Sequence, residues 1–202
     1  MPMKRKLLLL LLVLCALALC ACAPNADVPP DPSVTDADVE AALANLDAFF
    51  AALAAGEVEE AAQTYSGNPS MLVEENPEES NTYALALAVY SQLSHTVKET
   101  KVAGKTIFVN TDITTIDLNQ TMAALNAELQ ADEEMAELLG DMSTSKQQEY
   151  TQGLLATYIW EQAEADRVYL TTNFDIEMEY KKDAWRVTVD KKLLNALLGI
   201  AD

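Results

Sequence analysis

The stretch VYLTTNFDIEMEYK, residues 168–181, decides the fold. Val168, Leu170, Thr172, Phe174, Ile176, Met178 and Tyr180 alternate with Tyr169, Thr171, Asn173, Asp175, Glu177, Glu179 and Lys181. Side chains on a strand point to opposite faces in turn, so this pattern predicts one long strand with an apolar and a polar face. A sheet covered by helices on one side only is built from such strands. Lys182 and Asp183 supply a turn, and Trp185, Val187 and Val189 continue the inward face on a return strand. Asp190 then caps a short helix, Lys191–Leu198, which Gly199 stops.

Working back along the chain, residues 97–103 and 105–118 flank Gly104 and are rich in Thr, Val and Ile, which predicts an earlier hairpin. Ile107, Val109 and Ile113 share one parity, whereas Ile116 and Leu118 take the other. A bulge or a strand end near Thr114 would account for that switch.

The remaining segments read as helices. Thr35 or Asp36 can cap a first helix, whose Val39, Leu43, Leu46, Phe50 and Leu53 form an apolar stripe. Gly56 ends it, and residues 57–65 form a shorter second helix. After a loop over 66–80, residues 83–93 are apolar nearly all round and predict a buried helix. Between the two hairpins, residues 119–139 carry Met122, Leu125 and Leu129 on one face, with a break expected at Asp132-Glu133-Glu134. Ser143 or Ser145 can cap a further helix bearing Tyr150, Leu154, Tyr158 and Ile159. The expected fold class is α+β: N-terminal helices packed on one face of a curved antiparallel sheet, with a helical segment between two hairpins; the resemblance described below implies that this sheet is cone-like and that the helical segment is an insertion. Residues 36–202 form a single domain, and no repeat recurs at a fixed period.

The N-terminus carries a different signal. Lys4, Arg5 and Lys6 precede an apolar run over 7–19 that closes on Leu19-Cys20-Ala21-Cys22. The run is shorter than the roughly 20 apolar residues a membrane span needs and suits a signal-peptide core. Leu19, three before Cys22, departs from the small residue of an ordinary secretory cleavage site. The tetrapeptide resembles the lipobox of bacterial lipoproteins, which implies a signal peptide over 1–21 and acylation of Cys22; Cys20 is the alternative acceptor. Two acyl chains hold a protein stably on a bilayer where one holds it marginally. The resemblance therefore places the protein, lipid-anchored, on the extracytoplasmic face of the cell membrane or outer membrane. Residues 22–35 follow as a tether with Pro24, Pro29, Pro30 and Pro32. Extended at about 3.1 Å per residue, it reaches roughly 40 Å.

Charge and cysteine usage exclude several classes. The three cysteines are Cys15, Cys20 and Cys22, so the processed domain keeps no thiol for disulfides, catalysis or metal binding. The net charge is −19, and loss of Lys4, Arg5 and Lys6 makes it three units more negative. Nucleic-acid binding depends on basic side chains and is excluded on this balance. No Lys or Arg occurs over 23–97 or between Lys105 and Lys146. Acidic faces of this kind either keep a domain soluble and off an anionic membrane or receive a basic partner or cations. No nucleophile elbow or phosphate-cradling loop is present. Asp36, Asp38 and Glu40 lack the glycine and closing glutamate of a calcium loop and read as capping residues. The single histidine, His95, has no orienting carboxylate evident in the sequence. No catalytic residue, metal ligand or cofactor is assigned.

A long amphipathic helix running into Ala-Ala-Gly56-Glu-Val-Glu-Glu-Ala-Ala resembles the opening of nuclear-transport-factor-2-like domains, the cystatin-like cones. The closing strand followed by Asp183-Ala-Trp185-Arg-Val187 is similar to that family's final hairpin. The resemblance covers residues 35–199 and implies a cone that tapers toward a cavity. Enzymes on this cone work from its open end with His, Asp or Tyr pairs, but no motif carries those residues over. Phe50, Tyr65, Tyr90, Phe108, Trp160, Phe174 and Trp185 are the candidates to line a ligand pocket, with ordinary core filling as the alternative. The expected function is that of a non-enzymatic envelope lipoprotein binding a small apolar ligand or a protein partner. Its alternatives are a structural docking module of an envelope complex and a small hydrolase or isomerase.

Overall fold

The computed structural model describes residues 34–67, 72 and 80–200. The leader, Cys22 and most of the tether therefore lie outside the described residues, as does most of the loop over 66–80. Among the described residues the chain is α+β, with seven α-helices and one four-stranded antiparallel sheet. No helix among them is long and apolar enough to cross a membrane.

Helix α1 (Asp36–Ala54) begins in a reciprocal capping box: Thr35 Oγ1 accepts from Asp38 N, and Asp38 Oδ2 accepts from Thr35 N at 2.8 Å. That arrangement satisfies amide donors which the first turn leaves without partners. Gly56, at φ +77°, turns the chain into α2 (Val58–Gln63). This helix is shorter than the expected 57–65, because Tyr65 leaves it to form a parallel bridge with Val187. Helix α3 (Asn81–Tyr90) is capped by Ser80 and buries Ala88, Val89 and Tyr90. Strands β1 (Ser94–Ala103) and β2 (Thr106–Ile116) make the first hairpin around Gly104. Helices α4 (Leu118–Ala131), α5 (Glu133–Gly140) and α6 (Thr144–Glu161) follow, then β3 (Tyr169–Lys181), β4 (Ala184–Val187) and α7 (Lys191–Leu197).

The sheet order is β1-β2-β3-β4, so the two hairpins join through β2 and β3 although three helices separate them in sequence. Their register runs from Thr106 opposite Glu179 to Ile116 opposite Tyr169. Inward side chains from β2 and β3, among them Ile107, Val109, Ile113, Ile176 and Met178, are buried beneath α1 and α7. A second apolar cluster forms where β2 ends, joining α3, α4 and α6 through Val89, Ile116, Leu125, Leu155 and Ile159. Asp132 closes α4 and caps α5, accepting from Glu134 N and Met135 N at 3.1 Å, so the helical break falls where the acidic run predicts it.

One alternative is decided and two expectations are corrected. The strand end, and not a bulge near Thr114, accounts for the buried Ile116 and Leu118, and the inward parity of β2 holds up to that end. That parity continues through Thr111 and Thr115, whose buried hydroxyls reach the carbonyls of Val109 and Val89, and the strand ends at Ile116. The register shift lies instead in β1, between Val97 and Glu99. Tyr180, read as inward, is 57% exposed. β2 begins at Thr106, opposite Glu179, so Tyr180 stands past the part of β3 that β2 pairs, and its ring meets Trp185 edge to face at 5.5 Å. Val168 is also exposed, because it precedes β3; its carbonyl accepts from Asp117 N at 2.8 Å.

Candidate functional site

The seven aromatic candidates do not converge on one place. Phe50, Tyr65, Tyr90 and Trp185 are buried in the larger core cluster, and Phe174 packs against it half-buried. Their positions follow from the elements that carry them: Phe50 lies on the stripe of α1, Phe174 on the inward parity of β3, and Trp185 on β4 beneath α1. Trp185 is held at two points, its indole Nε1 donating to Asp38 and its carbonyl accepting from Asn45 Nδ2 at 2.6 Å. Tyr65 donates to the Val189 carbonyl at 3.4 Å. Burial pushes the Tyr90 phenol up to about 12, with a smaller contribution from Tyr83.

Phe108 and Trp160 fall outside that group. Phe108 sits between inward-facing Ile107 and Val109, so strand alternation turns it to the opposite face, in register with Lys101 and Glu177. Trp160 is 54% exposed. Helix α6 buries Leu155, Ala156 and Ile159, and the next residue is rotated by about 100°, away from the core.

His95 has a carboxylate partner that sequence reading did not supply. Its Nε2 lies 2.8 Å from Asp47 Oδ1, and its ring stacks on Phe50 at 4.3 Å with 13° between planes. The contact ties the first residues of β1 to α1. Forty-eight positions separate the two residues, so no local spacing signals the pair. The imidazole is mostly covered while the carboxylate is largely in solvent.

The face of the sheet away from the helices carries a polar ladder. Asn110 and Asn173 exchange amide hydrogen bonds at 3.0 Å, and each also donates at 2.7 Å to a carboxylate, Asp175 and Asp112 respectively. Lys98 meets Asp112 at 2.8 Å, and that ammonium, then Asn173, holds the Asp112 carboxyl below its usual range. These bonds knit β1, β2 and β3 together, and the lysines and the β1 bulge blunt an otherwise open edge strand.

Open space lies at the helical end. A cleft of about 560 Å³ is lined by Asn81, Asp141, Met142, Ser143, Lys146, Glu149 and Tyr150, between the start of α3 and the start of α6. Asn81 Nδ2 donates to the Glu149 carbonyl at 2.9 Å, fixing the two helices beside it, where Gly153 gives the Asn81 side chain room. Helix α5 runs into this cleft and buries none of its residues. No group of three or more His, Cys, Asp or Glu residues among those described is placed to hold a metal ion. Compared with protein-family models, curated proteins and solved structures, the chain finds no match.

Proposed function

We propose that the mature protein is a non-enzymatic lipoprotein, held by acyl chains on Cys22 at the extracytoplasmic face of a cell membrane or outer membrane, whose domain docks a protein partner. The anchoring part rests on the basic start, short apolar run and Leu19-Cys20-Ala21-Cys22 of the leader. The docking part rests on one observation, the apolar face of α5 that no core residue covers. A partner protein is preferred to a small apolar ligand because the buried aromatic candidates pack with one another and with neighbouring core side chains. We read the domain as cone-like and related to nuclear-transport-factor-2-like domains. In support, α1 lies across the inner face of the sheet, and a long strand with a Trp-x-Val hairpin closes it.

Two arms test this reading. Cys22→Ser should move the protein from the membrane fraction to the soluble one; retention of that variant in the membrane would contradict the anchor. A photo-crosslinking residue at Leu138 in the native envelope should join the protein to one other polypeptide. Crosslinks to lipid alone, or none, would contradict docking.

A further inference from the structure

The docking reading above leaves the partner's chemistry open, and the next inference rests on that reading. We infer that α5 receives a basic amphipathic helix of a partner protein. Met135, Leu138, Leu139 and Met142 fall at i, i+3, i+4 and i+7, so they stack along one side of the helix and its closing turn. Leu138 is 44% exposed, Met135, Leu139 and Met142 are half-buried, and none of the four packs against either core cluster. Anchors at this spacing are what one amphipathic helix lays against the apolar face of another. Two of the four residues are methionines, whose unbranched side chains adapt to an incoming surface. The stripe ends at Met142 on the wall of the cleft that also holds Tyr150, which leaves room for a bulky anchor at one end.

Charge selects the occupant. Glu133, Glu134, Glu137 and Asp141 border the stripe, and among the described residues no cation pairs with any of them. Asp132 is already engaged at the helix N-terminus. A partner with Lys or Arg beside its apolar face would meet this rim with complementary charge. A second copy would bring the same acidic rim on a chain of net charge −19. An anionic membrane surface is repelled for the same reason. The protein's own tether holds Asp27 and Asp31 and no Lys or Arg.

The test uses the full mature protein and two synthetic helical peptides, one of leucine and lysine and one of leucine and glutamate, followed by fluorescence anisotropy. The lysine peptide should bind saturably, more weakly as salt rises, and the glutamate peptide should not bind. Leu138→Gln with Met135→Gln should weaken binding about tenfold or more while the thermal melt stays unchanged. Glu133→Gln with Glu137→Gln should weaken it and flatten the salt dependence, whereas Glu59→Gln with Glu60→Gln on α2 should leave it intact. Equal losses from the α2 pair, binding of both peptides alike, or no saturable binding would overturn the inference. If Leu138 still crosslinks to a partner in the envelope while the lysine peptide fails, docking survives and the basic helix does not. If both fail, both fall.

Discussion

The indole Nε1 of Trp185 donates to Asp38 Oδ1 at 3.3 Å, joining β4 to the first turn of a helix 147 residues earlier in the chain. The same carboxylate closes the capping box with Thr35, so helix initiation and closure of the sheet share one residue. Trp185→Ala removes a buried ring between α1 and the sheet and should cost roughly 3–5 kcal/mol. Denaturant unfolding measures it, and an unchanged midpoint would place the indole elsewhere.

Acid stability should depend on that carboxylate. The Thr35 hydroxyl, then the Thr35 amide and the Trp185 indole, hold Asp38 below its ordinary value of 3.8. The folded state therefore binds the proton less readily than the unfolded chain. The stabilisation is complete above the ordinary carboxylate value and is lost as pH falls through the lowered one. Melting temperature followed from pH 5 downward should fall less steeply in Asp38→Asn than in the natural protein.

Alkaline stability should show the opposite slope. Burial raises Tyr90 to about 12, so the unfolded chain releases this proton near 10 while the folded protein keeps it. Stability from this residue is full below pH 10 and declines as pH approaches 12, by on the order of 2–3 kcal/mol in all. Tyr90→Phe should flatten that limb in pH-dependent unfolding; an identical slope would show that Tyr90 does not titrate with unfolding.

The β3–β4 turn is a place to gain stability. Lys182 and Asp183 both hold left-handed backbone, at φ 52° and 62°, the geometry of a type I′ turn in which Asn-Gly is favoured. Lys182→Asn with Asp183→Gly should stabilise the protein by about 1 kcal/mol. A lower melting temperature in the double variant would mean that these side chains hold contacts outside the turn.

Strand β3 was readable because period-two burial writes itself directly into sequence, and the Asp132 break was readable because one acidic residue serves two helix ends. Tyr180 is not legible in this way, because alternation tells which face a residue takes, while the start of β2 opposite Glu179 decides how far that face is covered. Trp160 follows Ile159, which helical phase already turns inward, so its aromatic character does not decide which face it takes. Phe108 contradicted the parity of its own neighbours Ile107 and Val109. The partnership of His95 with Asp47 depends on how α1 lies against β1, a tertiary fact with no local trace. The face of α5 was half visible: the acidic run stood out, but that its apolar side stays uncovered depends on packing.

The anchoring claim is tested most directly by mass spectrometry of the N-terminal peptide of the protein extracted from its native membrane. The account predicts a chain that begins at Cys22 and carries a diacylglycerol thioether on that sulfur. A terminus that begins at another residue, or a Cys22 thiol without lipid, would contradict it.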